Sequence, residues 1–327
     1  MGGVESFLRL HHQADAAHGL DSTFCAYFEP QNTGIERVHG LGLTGFSCIY
    51  TARQRFRALP GPPPQMMIYQ NFWGLPFLAD LDQADRRLGV LHTDCPGLPV
   101  WLRGLRGLVD GALCVSEPLL DLVRRELPEL PHSRSAWLPC PVARKETEAL
   151  QPPLRGRPIV LGFAGRLSFE QKRVDRFPVL TEALKRRGVD FRLEFLGHGP
   201  QADWLRQKFA GNPRVHFHGR QTGDAYWNAL RRWDAMVFVT DYEGLPISLL
   251  EAMAVGVLPV FPAVGSGGDR YAAGVRENLL YPAGDVEAAA DAVKSLVAAA
   301  ASELGQLRRR ANALVAPHLG DCCEETY

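Results

Sequence analysis

Glu243 and Glu251 stand eight residues apart in DYEGLPISLLEAMAVGVLPV (241–260), directly after the strand-like run AMVFVT. Pro246 reads as an early helical position, where a missing N–H is no loss. The apolar spacing of Leu249, Leu250, Met253 and Ala254 carries the helix on to Gly256, a residue suited to cap it. Unpaired amides from Leu245 through Ile247 and Ser248 to Leu249 would place partial positive charge at the carboxyl end of a strand. Such a place binds anions, phosphate above all. Two acids beside a phosphate site make sense once a sugar is added, because carboxylates accept from vicinal hydroxyls. The competing reading is a plain helix start with favourable acidic residues.

A second segment, GFAGRLSFEQKRVD (162–175), opens with a strand and a glycine turn, then supplies Arg166 and Lys172. Arginine offers a planar fork of donors and lysine a compact, movable charge. Both could reach one diphosphate from the mouth of a sheet. Taken singly, each would be ordinary surface charge. The joint pattern of Gly-Arg, a six-residue step to Lys and a later E-x7-E is far more specific.

Other chemistry-bearing residues are less pointed. His92 and Asp94, at a strand end, could act as a general base on a hydroxyl, since histidine titrates near neutrality. LEFLGHGPQA (193–202) imitates a dinucleotide fingerprint, which makes a nicotinamide dehydrogenase a formal rival. Against that rival, the fingerprint is not in the first βαβ unit and no acid ends the next strand. His216 and His218 share one strand face, and His11, His12 and His18 fall on the first helix. No third ligand at suitable spacing joins either set, so no metal site is expected. Basic residues gather in TARQRFR (51–57) and WLRGLRG (101–107). In the latter, Trp101, Leu102 and Leu105 interleave with Arg103 and Arg106, a pattern that suits peripheral contact with an anionic membrane or a solvated helix with snorkelling arginines.

These residues need a scaffold. The 327 residues suggest two domains, and 36 basic against 36 acidic side chains leave no basic excess for nucleic acid. No apolar run is long enough to span a membrane, and the start lacks a signal-peptide pattern. Seven cysteines without a CxxC argue against a disulfide framework and fit a reducing cytoplasm. Cys25, Cys48 and Cys114 sit in apolar runs and read as small core residues.

Strand-like runs alternate with helical patterns throughout. STFCAYF, FSCIYT, QMMIYQNF, RLGVLHT and GALCVS read as strands in the first half. PIVLGFAG, FRLEFLG, VHFHG, AMVFVT, VLPVFP and NLLYP follow in the second. Alternation of this kind predicts an α/β fold of two doubly wound parallel sheets. The Pro-rich, charged stretch from Cys140 to Pro158 is the best linker, giving domains at 1–150 and 151–327. Val4, Phe7, Leu8, Ala14 and Ala17 keep helical spacing, so the chain opens on a helix with no strand before Gly2. Either the first sheet lacks that strand or the encoded start lies upstream.

Residues 158–290 resemble the nucleotide-sugar-binding domain of family-four glycosyltransferases, the group 1 type with the GT-B fold. The resemblance is carried by Gly165-Arg166 with Lys172, the LGHGP turn, the VHFHG strand end and EGLPISLLEAMAVGVLPV. The first half is similar to the family's acceptor domain more weakly, through Gly2-Gly3-Val4-Glu5, VLHTD, VSEPLLDLV and WLPCPV. In departures from the pattern, Pro139-Cys140-Pro141-Val142 replaces P-N-G-V and Gly265-Ser266-Gly267-Gly268-Asp269 replaces a Gly-Gly followed by Pro-Glu. What the resemblance implies is a metal-independent, retaining sugar transfer from a nucleotide sugar to a hydroxyl of a carbohydrate or lipid-linked acceptor. No cofactor beyond that co-substrate is implied. Arg166 and Lys172 would hold the diphosphate, Glu243 the transferred sugar and Glu251 the ribose. Gly165, Gly197, Gly244, Leu245, Pro246, Ile247 and Ser248 would contact the donor through backbone. Gly219 and Arg220 would lie beside the base, Gly3 would admit the phosphate, and His92 would lie near sugar and acceptor. It also implies a last helix that packs back toward the first domain and a protein working in the cytoplasm or at the inner membrane face. The rival classes are a GT-B-shaped epimerase and a non-catalytic nucleotide-sugar binder.

Overall fold

The computed structural model describes Leu8, His12, Asp15, residues 19–142 and residues 156–319. Leu8, His12 and Asp15 are helical, in keeping with an opening helix; Gly3 lies outside the described residues, as does 143–155 of the expected linker. The chain divides into two compact units, with the main change-over at Leu138–Pro139.

The first unit starts with a two-stranded parallel pair, β1 (Phe24–Ala26) and β2 (Val38–Gly40). Helix α1 (Ile49–Arg57) follows. A four-stranded parallel sheet comes next, built from β3 (Met66–Gln70), β4 (Arg86–Leu91), β5 (Gly111–Cys114) and β6 (Ser135–Trp137) in that order. Between its strands run α2 (Leu75–Leu78), α3 (Leu98–Arg103) and α4 (Glu117–Glu126). One expectation fails here. FSCIYT is not a strand but a turn leading into α1. A short apolar run cannot by itself distinguish the two, and the following TARQRFR is rich in helix formers that draw Ile49 and Tyr50 into the helix. Cys48 is accordingly an exposed N-cap residue and not a core one, whereas Cys114 is buried.

The second unit is a six-stranded parallel sheet in the order β12-β11-β10-β7-β8-β9. In chain order it reads β7 (Ile159–Ala164), α5 (Arg176–Arg186), β8 (Phe191–Leu196), α6 (Ala202–Lys208), β9 (Val215–Gly219), α7 (Gly223–Leu230), β10 (Ala235–Val237), α8 (Ile247–Ala254), β11 (Leu258–Ala263), α9 (Asp269–Val275), β12 (Leu280–Pro282), α10 (Val286–Ala298) and α11 (Ala301–Leu314). This is the doubly wound order whose direction reverses between β7 and β10.

Register explains both faces of this sheet. Phe163, Phe195 and Phe217 fall in one row. Phe177 of α5 meets Phe163 and Phe195 edge-on, at 5.2 and 4.9 Å between ring centres. On the other face, Gly162, Glu194 and His216 share a row. A side chain at Gly162 would strike Trp233, which is fully buried and donates its indole N–H to Glu194 at 3.0 Å. That bond and the Arg232 guanidinium at 3.6 Å answer the buried carboxylate.

The second unit also ties its own ends together. Val142 pairs with Leu319, and His318 is fully buried next to them. His318 Nδ1 donates to the Cys140 carbonyl at 2.9 Å, so Nε2 accepts from Tyr271. Burial pulls the His318 pKa from 6.5 down to about 4, with Arg270 helping and the Cys140 bond opposing. The unfolded chain takes up this proton below pH 6.5, whereas the folded one refuses it until about pH 4. Stability contributed by neutral His318 is therefore complete above pH 6.5 and is lost across that window, by roughly 3 kcal/mol at its acid end. Denaturant unfolding at pH 7 and pH 4.5 checks this: the gap between wild type and His318→Phe should narrow at the lower pH. An unchanged gap would mean the histidine titrates normally.

Candidate active site

The loops that leave β7 and β10 flank the point where the strand order reverses, the usual ligand position in an open α/β sheet. They are clamped to each other. Lys172 Nζ lies 2.5 Å from Glu243 Oε1. Gln171 donates from Nε2 to Glu243 Oε2 and to the Tyr242 carbonyl, both at 3.1 Å. The Gln171 carbonyl accepts from Thr240 Oγ1 at 2.7 Å and from the Asp241 amide at 3.0 Å. Arg173 and Arg176 each approach Asp241 to 2.6 Å. Burial works to raise the Asp241 pKa, but the two guanidinium groups outweigh it and hold the carboxyl below its ordinary range.

Lys172 and Glu243 are only 16% and 5% exposed, so their charges have left most of their water and depend on one another. Arg166 differs. It is exposed, and among the described residues it has no hydrogen-bond or ion-pair partner. Its guanidinium fork is available to an incoming anion.

Glycines bring the neighbouring turns close. Gly165 donates its amide to the Leu196 carbonyl at 3.0 Å, and Gly197 donates to the Gly219 carbonyl at 2.8 Å. The ends of β7, β8 and β9 thus form one rim. A Cβ on Gly197, whose φ is +131°, would sit 2.0 Å from the Gly165 oxygen; one on Gly199 would sit 2.3 Å from the Leu167 oxygen. The G-x-G of LGHGP is thus explained by backbone packing against 165–167, which removes the main support for a dinucleotide fingerprint. Arg220, just past Gly219, is exposed.

Pro246 is the N-cap of α8 and not a residue inside its first turn; the helix proper begins at Ile247. No side chain caps this end. Leu249 is the first amide to find an intrahelical acceptor, at the Pro246 carbonyl. The amides of Ile247 and Ser248 therefore present the positive pole of the helix. Gly244 and Leu245 form the buried turn ahead of it, and the Gly244 carbonyl accepts from Gly267 at 2.7 Å. So the atypical loop 265–269 still docks on the EGLP turn, closed by Asp269 bonding the amides of Gly265 and Ser266. The reversal at Gly256, with φ +80°, ends α8 as expected.

Glu251 is not part of the Lys172–Glu243 cluster. It accepts from the Tyr226 hydroxyl at 2.5 Å, and burial pushes its pKa up against the lowering effect of that bond. Tyr226, Gln171 and Arg173 escaped the sequence reading. Tyr226 lies 25 residues from its partner, and nothing in its local pattern marks it. Gln171 and Arg173 flank a motif residue, which was the one available signal.

His92 belongs to the first unit and is 8% exposed. Its Nε2 donates to Gln70 Oε1 at 2.6 Å and its amide to Asn71 Oδ1 at 2.7 Å. Asn71 and Phe72 both have positive φ, 50° and 55°. The strained turn is held because Phe72 fills the space over Gly89. While the Gln70 bond stands, Nε2 cannot take a proton from an acceptor hydroxyl, which weakens the general-base reading.

Of the two readings of the amphipathic stretch 101–107, the structure agrees with arginines in solvent over a buried apolar face. Leu102 and Leu105 are core residues, 0% and 1% exposed. Arg103 pairs with Glu126 at 2.6 Å, and Arg106 reaches the Glu126 carbonyl and Glu129. The apolar face is spent inside the protein, and acids hold the arginines. Among the described residues no group of three His, Cys, Asp or Glu could hold a metal ion, and no helix is long and apolar enough to cross a membrane.

Residues 158–299 match the family described as glycosyl transferases group 1. That span contains the β7 and β10 loops, the glycine rim and α8. A lipopolysaccharide 1,6-galactosyltransferase of Salmonella typhimurium is 32% identical over 125 residues, 36% of this chain and 33% of that protein. The chain thus spans about a third of that relative's length in the match. Among solved structures, a sucrose-phosphate synthase of Thermosynechococcus elongatus aligns with TM-score 0.73 at 19% identity, covering 99% of this chain and 92% of the other. The outer core galactosyltransferase WaaB aligns with TM-score 0.69 at 16% identity, covering 98% and 93%. At such identities the likeness establishes the fold: α/β, with two Rossmann-like units of the GT-B type.

Proposed function

We propose that the chain is a glycosyltransferase of glycan or glycolipid biosynthesis. It moves a sugar from a nucleotide-sugar donor to a hydroxyl of a carbohydrate or lipid-linked acceptor, with retention of configuration and no catalytic metal. Residues 151–327 take the donor and residues 1–150 the acceptor. The observation that carries this reading is the Lys172–Glu243 pair at the strand-order reversal, with an uncommitted Arg166 on the same loop. The matched family and the galactosyltransferase relative point the same way.

The chemistry follows from the charges. Breaking the bond between sugar and phosphate leaves negative charge on the diphosphate and positive charge on the ring. Arg166 binds the diphosphate with two parallel N–H donors. Lys172, drawn from Glu243 toward the phosphate, neutralises the leaving oxygen. Glu243, released in the same movement, accepts from the sugar hydroxyls. The Ile247 and Ser248 amides add the pole of α8, and Glu251, aimed by Tyr226, receives the ribose. Such preorganised groups act on charge that develops only in the transition state.

A thermal-shift series with nucleoside diphosphates differing in base, all at one concentration, should show its largest shift for the preferred base, about 2.7 kcal/mol where that concentration is about 100 times its dissociation constant. Arg166→Ala should remove most of that shift. If no nucleoside diphosphate stabilises the wild type, the donor assignment is wrong. NMR of the product then reports the anomeric configuration, and inversion would refute the retaining assignment.

A further inference from the structure

His198 carries the one side chain of the Gly197–Gly199 turn, because both its neighbours are glycine. Packing demands those glycines, since a Cβ on either would strike the backbone of 165–167. The turn is therefore pressed onto the loop that carries Arg166. Strand register says where this leaves His198. Ala164 and Leu196 are the last partners within β7 and β8. Two bonds extend the ladder past them: the Gly165 amide donates to the Leu196 carbonyl and the Leu167 amide to the His198 carbonyl, both at 3.0 Å. Two residues further on, Arg166 and His198 are thus register partners, on backbones about 4.8 Å apart.

Both side chains are exposed, and neither has a hydrogen-bond or ion-pair partner among the described residues. Arg220, on the next turn of the rim, is open in the same way. No acid occurs in 195–202 or in 217–223. Glu170, four residues past Arg166, is exposed and pairs with none of the three among the described residues. By contrast, Arg173 and Arg176, later on the Arg166 loop, are both tied to Asp241. This stretch of the rim presents N–H donors with no carboxylate of the chain to answer them, which suits an anion from outside.

We propose that His198 binds a phosphate of the donor beside Arg166, and that this phosphate is the one attached to the ribose. The proposal rests on the nucleotide-sugar reading given above. The choice of phosphate follows from order along the sheet. Lys172 and the α8 amides stand at the β7–β10 reversal, where the bond from sugar to phosphate breaks. β8 lies on the opposite side of β7 from β10, and β9 lies beyond it. His198 is therefore displaced from the reacting bond toward the Gly219–Arg220 turn assigned to the base, and the phosphate on that side is the inner one. An imidazole donates one N–H when neutral and two when protonated, so the contact holds in either state.

Isothermal titration calorimetry of the full chain tests it, with the nucleoside, monophosphate and diphosphate of the preferred base and with inorganic pyrophosphate as the base-free probe. His198→Ala should weaken the monophosphate, the diphosphate and pyrophosphate about tenfold each, the effect of losing one hydrogen bond to a charged group. Nucleoside binding should stay as it was. His198→Gln keeps an N–H donor and should retain most of the affinity. Both variants should melt at the wild-type temperature, since the side chain is exposed and bonds to nothing among the described residues. Wild-type phosphate affinity in His198→Ala would overturn the proposal. So would an equal loss for the bare nucleoside, because the imidazole would then read ribose or base. A loss confined to the diphosphate would overturn the assignment to the inner phosphate. Pyrophosphate binding that needs His198, in a protein that binds no nucleotide, would overturn the donor reading and keep the phosphate contact; binding of neither would overturn both.

Discussion

Arg166→Ala should lower sugar transfer about 10²–10³-fold, or ~3–4 kcal/mol, and leave the melting temperature where it was. The reason for the second half is structural. Arg166 is exposed and has no partner among the described residues, so the folded protein loses nothing with its guanidinium. Lys172→Ala should lose activity to the same degree but should also destabilise the fold. Its removal leaves Glu243, 5% exposed, with Gln171 alone among the described residues to answer a buried carboxylate. Breaking one side of a buried ion pair typically costs about 3 kcal/mol or more. Lys172→Ala combined with Glu243→Ala should recover most of the lost stability and none of the transfer. Initial rates and denaturant melts on the three variants separate charge stabilisation from packing. An Arg166→Ala enzyme that turns over at the wild-type rate would remove arginine from the chemistry.

Gly197→Ala should be among the most damaging single-methyl changes in the second unit. The added carbon would sit 2.0 Å from the Gly165 oxygen, at a φ of +131° that side chains seldom adopt. One of the two turns must move, and the strand-end rim moves with it. A loss of about 3 kcal/mol or more is expected, since strain at a forbidden φ and a backbone clash add together. Nucleoside-diphosphate binding should weaken as well, because Gly165 precedes Arg166 directly. Gly211→Ala is the control: its φ is +75° but nothing lies within 4 Å of the added carbon. It should cost only about 1–2 kcal/mol, the price of the left-handed conformation, with nucleotide binding intact. Equal melting temperatures for the two variants would show that the close approach at Gly197 carries no weight.

Much of the architecture was legible in the chain. Alternating strand and helix patterns, with near-continuous apolar strands, led to two parallel-sheet units. Ten of the eleven strand-like runs hold a strand. FSCIYT failed because a six-residue apolar run has no period long enough to choose between strand and helix. The stretch 101–107 left two readings open for another reason: an amphipathic pattern shows that one face is apolar, not whether that face meets protein or lipid. Leu102 and Leu105 went to the core. Strands β2 and β6, three residues each, passed unnoticed, since so short an element has almost no pattern of its own.

Residue types and spacing along the chain by themselves pointed to the phosphate-and-sugar chemistry proposed for the second unit, because Gly-Arg, the step to Lys172 and the E-x7-E are local patterns tied to turns at strand ends. Tertiary structure alone decided which charges face each other. Lys172 and Glu243 are 71 residues apart, and Tyr226 and Glu251 are 25 apart. It also decided which cation is committed and which is open, and which apolar residues are left in water. Those outcomes depend on desolvation and close packing between distant segments, and both appear only once the strands are laid side by side.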